Sequence, residues 1–142
     1  MSSDRAGGSG DEVELFDPTT GWVLVEHEGL DRLREFCAML PETTEVNPFG
    51  NPTFRVGTKT FVTFDVFEDR VSICVKVDMT VQADLVGREG FSIEPDIGHH
   101  GWTYLHLDAG LDWDEIDEWI TKSYRLVAPV QFVTQLDQLL AE

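Results

Sequence analysis

The stretch from Gly98 to Pro129 constrains the fold more than any other part of this chain, because it sets out four structural units without interruption. Gly98-His99-His100-Gly101 is a glycine-bracketed turn, and Trp102 to Leu107 alternates as a strand does. Asp108 to Asp112 is an acidic turn, and Trp113 to Val127 carries apolar residues at helical spacing. Asp112 is placed to accept from the free backbone donors of the first helical turn, with Glu115 three residues on as its capping-box partner. Asp114, Asp117 and Glu118 sit in the N-terminal half and Lys122 and Arg125 toward the other end, each sign suited to the helix dipole. Trp113, Ile116, Ile120, Ser123 and Val127 share one face, and Pro129 stops the helix.

The rest of the chain reads in the same way. Leu30, Leu33, Phe36, Cys37 and Leu40 form one face of a helix that Pro41 ends, and Asn47 to Pro52 is a turn-dense loop. Thr53 to Val56 and Lys59 to Phe67 are strands around a Gly57-Thr58 hairpin turn. Val71, Ile73, Val75 and Val77 alternate with polar residues in a third strand, Trp102 to Leu107 is a fourth, and a loop through Pro95 leads to it. Short helices are expected over Met79 to Val86 and Phe132 to Leu140. Residues 1–10 are rich in Gly and Ser and read as a disordered tail. Residues 11–28 read as an N-terminal extension with a turn at Asp17 to Gly21, and residues 29–142 as the folded domain. The expected class is α+β, one antiparallel sheet covered by helices.

Charge narrows the partners. Twenty-seven acidic residues against ten basic ones give a formal net charge of −17, with lysine only at 59, 76 and 122. Such a balance favours solubility and disfavours polyanions; it fits either a surface for cations and basic partners or a host-wide enrichment in acids. Cys37 and Cys74 lie far apart in apolar patterns, no apolar run approaches a membrane span, and residues 1–10 lack the basic and apolar regions of a signal peptide. A reduced, cytoplasmic monomer is the expectation.

Several of these segments, in order over about residues 30–135, resemble the MmcQ/YjbR family. They are Leu33-Arg34-Glu35-Phe36-Cys37-Ala38-Met39-Leu40-Pro41-Glu42, Phe49-Gly50-Asn51-Pro52-Thr53-Phe54-Arg55-Val56, Gly98-His99-His100-Gly101-Trp102 and Ser123-Tyr124-Arg125-Leu126-Val127-Ala128-Pro129. The resemblance implies a fold similar to CyaY and frataxin, and DNA binding by analogy with winged domains. Arg55, Lys59, Arg70 and Lys76, flanked by Phe61 and Phe67, are the nucleic-acid candidates. The chain departs from the family pattern at His100, where Arg is frequent, and at Val130-Gln131, where Lys-Arg follows Ala-Pro. Fewer phosphate contacts mean DNA binding that is weak and strongly salt-dependent.

The alternative is a protein- or small-ligand-binding module whose contacts are His99, Trp102, Tyr104 and His106. Adjacent residues on extended backbone face opposite sides, so His99 rather than His100 is expected to line the cleft. Trp102 is expected to be largely buried against the final helix, which puts the cost of Trp102→Ala at ~3–5 kcal/mol. A third reading is frataxin-like cation handling by the acidic Asp108 to Glu118 segment. No catalytic constellation is legible. Ser123 has no nucleophile elbow and more simply fits where helix meets sheet, neither cysteine has an electropositive neighbourhood, and Gly7-Gly8-Ser9-Gly10 is no phosphate loop. His100, His106 and Asp108 lack the tight spacing of a zinc site. The expectation is a protein that is not an enzyme and takes neither cofactor nor metal.

Overall fold

A computed structural model describes residues 27–48 and 50–142; the tail over 1–10, the extension over 11–26 and Phe49 lie outside the described residues. Helix α1 spans Glu28–Cys37 and starts where His27 Nδ1 accepts from the Gly29 amide at 2.9 Å. Strands β1 (Thr43–Val46), β2 (Thr53–Val56), β3 (Lys59–Phe67) and β4 (Arg70–Lys76) then run as an antiparallel meander. Helix α2 (Met79–Leu85) leads to β5 (Phe91–Ile93), a 3-10 turn at Gly98–His100 and β6 (Trp102–His106). Helices α3 (Trp113–Val127) and α4 (Val130–Leu140) complete the domain. The six strands form one antiparallel sheet in the order β1-β2-β3-β4-β6-β5.

The pleat gives the sheet two unlike faces. Val62, Phe64, Ile73, Val75 and Leu105 point to one side and pack with Leu30, Leu33, Leu85, Ile116, Ile120 and Leu136 of the four helices. That side is the core. The other carries Thr63, Asp65, Ser72, Cys74, Tyr104 and His106, none of which joins the core cluster. A β-bulge decides what the second face holds at its β2 end. Phe54 pairs with Val62 but Arg55 pairs with Thr60, so Phe61 is an extra residue. Phe61 turns into the core, edge-on to Tyr124 at 5.3 Å between ring centroids, and Arg55 and Thr60 line the other side, which is helix-free among the described residues.

Ser123 of α3 stitches the layers together: its hydroxyl donates to the Phe61 carbonyl at 2.6 Å and accepts from the Lys76 amide at 2.9 Å. The small residue therefore sits where helix meets sheet, as its pattern implied. Tyr124 beside it donates to the Pro41 carbonyl at 2.6 Å, tying α3 to the end of the α1 segment.

Two expectations about elements are corrected. The sheet has six strands, not four: β1 and β5 are short edge strands whose polar or glycine-flanked sequences carry no alternation to read. Asp112 does cap α3 by accepting from the Asp114 amide at 3.0 Å, but Glu115 does not reach back. It is held instead by Arg88 at 2.7 Å and by the Trp119 indole at 3.1 Å, which outcompete a single backbone donor.

Candidate functional site

On the helix-free face the sheet sinks into a cleft of about 470 Å³. Thr53 and Arg55 of β2, Thr60, Thr63 and Asp65 of β3, Cys74 of β4 and Trp102 and Tyr104 of β6 form its floor and walls. Pro48 and Asn51 close one rim, and Glu94, Asp96 and Ile97 of the segment after β5 close the other. That segment is braced from within: Glu94 Oε1 accepts from the backbone amides of Asp96 and of Ile97, the latter at 2.8 Å.

Asp65 is held by the amide of Val66 at 2.8 Å and by the Tyr104 hydroxyl at 3.3 Å. Burial nevertheless raises its carboxyl above the usual range, and burial together with the Asp65 charge pushes the Tyr104 phenol upward. Phe67 stacks on Tyr104 at 4.6 Å between ring centroids. The Cys74 thiol is raised well above its ordinary value by burial, as is that of Cys37, so neither is a ready nucleophile.

The glycine-bracketed turn proves to be a device for positioning Trp102. A Cβ on Gly101 would lie 2.1 Å from the Val77 carbonyl oxygen, and its φ of +99° is itself unfavourable for other residues. A Cβ on Gly98 would lie 2.2 Å from Ile93 Cγ2. Gln82 of α2 clamps the same turn, its two amide hydrogens shared among the carbonyls of Gly98 at 3.0 Å and Trp102 at 3.1 Å and the Thr103 hydroxyl oxygen at 3.1 Å.

The sequence candidates separate. Trp102 and Tyr104 meet in the cleft; His99 and His106 do not line it. His99 is exposed on the 3-10 turn with its ring 4.0 Å from that of His100, because the backbone there is not extended and adjacent side chains need not diverge. His106 is 1% exposed on the same sheet face as Tyr104, with Ser72 Oγ 2.7 Å from Nδ1 and Ser92 Oγ 2.7 Å from Nε2. Ser72 donates to the Arg70 carbonyl, which leaves it to accept from Nδ1–H while Ser92 donates to Nε2. Both ring nitrogens are thus occupied.

Trp102 is half-buried, not deep in the core, and it faces away from the final helix, because Thr103 and Leu105 take the inward positions of β6. Among the nucleic-acid candidates, Arg55 lines the cleft, Lys59 is exposed at the hairpin turn and Lys76 is half-buried beside Trp102. Arg70 is bound to Asp108 at 2.6 Å. These four do not gather into one strip. No group of three or more His, Cys, Asp or Glu side chains among the described residues is arranged to hold a metal ion.

Thr60, Thr63, Asp65 and Glu94 are cleft residues that sequence reasoning passed over. The bulge at Phe61 shifts the parity of β3, so Thr60, Thr63 and Asp65 do not look like one face of a strand.

Fold and site together define a small α+β domain in which no helix among the described residues covers one face of the sheet. The model of the YjbR family matches residues 38–126, well over half of the sequence, and the chain belongs to that family. Two solved structures share the fold. A Deinococcus radiodurans protein with a DUF419 domain superimposes with a TM-score of 0.62 at 24% identity, over 69% of this chain and 77% of that one. A Pseudomonas syringae protein superimposes with a TM-score of 0.58 at 17% identity, over 68% of this chain and 96% of that one. No curated protein matches the chain. Among the described residues no helix is long and apolar enough to cross a membrane.

Proposed function

We propose that this protein is a binding module, not an enzyme, and that it takes a small ligand in the cleft on the helix-free face of its sheet. The observation that carries the reading is the cleft itself. A half-buried Trp102 is held at the edge of a concavity of about 470 Å³ by a turn whose two glycines and buried glutamine are built to fix it there. Small-ligand sites characteristically combine an aromatic wall with a few polar groups in a preformed hollow of this size. Chemistry finds little purchase in it. Asp65 is tied to Tyr104 and Val66, and the Cys74 thiol is suppressed by burial.

Titration of the labelled protein with indole, followed in amide spectra, tests the proposal. Shifts should concentrate at Thr63, Cys74, Trp102 and Tyr104, and Trp102→Ala, which leaves the core untouched, should weaken binding at least tenfold while the protein stays folded. Shifts that map to the helical layer, or to Lys59 and Arg70 on adding a duplex oligonucleotide with none at the cleft, would refute it.

A further inference from the structure

What enters the cleft can be read from a buried guanidinium N–H without an acceptor, given the reading of the cleft as a ligand site on which this inference rests. The Nε of Arg55 is buried and has no hydrogen-bond partner among the described residues. Every other described arginine has a carboxylate or an aromatic ring against its guanidinium: Arg32 lies over Trp113, and Arg34, Arg70, Arg88 and Arg125 are in ion pairs. In a chain with 27 acids and 10 bases, a lone unpaired guanidinium does not reflect a shortage of partners. A guanidinium N–H taken out of water without an acceptor is costly, and a site that leaves one so is preorganised for an acceptor from outside.

We infer that the cleft binds a small molecule presenting a single carboxylate to Arg55 and a flat apolar body to Trp102. Thr60 stands directly opposite Arg55 in the β2–β3 ladder, on the same face, so its hydroxyl is within reach of the same carboxylate. Lys76, paired with Trp102 across β4 and β6, adds positive charge along the same row of the sheet. Three carboxylates line the cleft: Asp65 is held by Tyr104, Glu94 by the backbone of its own turn, and Asp96 stands exposed on the segment after β5, and none of them pairs with Arg55. Those same carboxylates set the charge of the ligand. They repel a doubly charged phosphate more than a singly charged carboxylate, and the net charge of −17 acts in the same direction.

Calorimetric titrations of the full chain with matched probes decide the matter. Indole-3-acetate should bind at least tenfold tighter than indole-3-acetamide, which has the same shape without the charge, and tighter than tryptamine. Benzoate should bind tighter than phenyl phosphate. In Arg55→Gln the acetate and acetamide should fall within twofold of each other. Arg55→Lys, which keeps the charge and loses the Nε donor, should recover only part of the difference. Equal affinity for acetate and acetamide in the unaltered protein would overturn the carboxylate while leaving the cleft as a ligand site, and tighter binding of tryptamine or phenyl phosphate would do the same. A preference that survives Arg55→Gln would overturn the role given to Arg55. Failure of every probe to bind would remove both this inference and the reading beneath it.

Discussion

His106 ties the stability of the domain to pH near neutrality. Its imidazole is sealed between Ser72 and Ser92, and burial, aided by the nearby positive charge of Arg70, lowers its pKa from 6.5; Asp108 and Glu68 oppose this but do not reverse it. A base whose folded pKa lies below its unfolded one binds more protons when unfolded, so the folded state loses stability as the pH falls through and below about 6.5. Asp108 and Glu115, lowered by Arg70 and Arg88, lose their contributions only at more acidic pH, and Asp65, raised by burial, acts in the opposite sense. The expected result is a melting temperature that drops between pH 7 and pH 5.5 in the parent and drops less in His106→Asn. Parallel pH profiles for the two proteins would count against a neutral, doubly engaged imidazole.

At the scale of elements, legibility followed periodicity and failed where periodicity was broken. The bounds of α3, the β2–β3 hairpin and the alternating β4 are all plain from the spacing of apolar residues, since each buries one face against the other layer. The edge strands β1 and β5 are held by pairing with a neighbour rather than by a buried face of their own, so their sequences give no sign of them. Trp102 departs from what its sequence implies for a related reason. Hydrophobicity marks it as core, yet β6 turns Thr103 and Leu105 inward and leaves Trp102, Tyr104 and His106 on the open side.

The turn that precedes β6 looked, from its histidines, like a source of ligands, whereas its glycines matter more. Gly101→Ala forces a Cβ against the Val77 carbonyl at a φ of +99° and should cost at least about 3 kcal/mol, combining backbone strain with overpacking. Chemical denaturation checks this, with His100→Ala, exposed on the same turn, as a control expected within about 0.5 kcal/mol of the parent.

For the molecule as a whole, charge and geometry bear together on nucleic acid. Arg70 is neutralised by Asp108 and Arg55 is withdrawn into the cleft, which leaves Lys59 and Lys76 of the four proposed phosphate contacts. Two contacts correspond to a slope of about −2 in log K against log salt, on a protein of net charge −17. Fluorescence anisotropy with a labelled 20-bp duplex should therefore give a dissociation constant weaker than about 10⁻⁴ M at physiological salt. Submicromolar binding, or a slope of −5 or steeper, would require a basic surface that the described residues do not supply.

The division of the sheet into a helix-covered and a helix-free side has a consequence for how such a domain can diversify. Side chains that hold the layers together and side chains that line the cleft occupy alternate positions of the same strands, so the two sets are separate. On the reading of the cleft as a ligand site, its lining can change without loosening the helical layer, because the two sets of positions do not overlap. Relatives with this architecture would then be expected to agree in shape long after they have ceased to agree in what they hold.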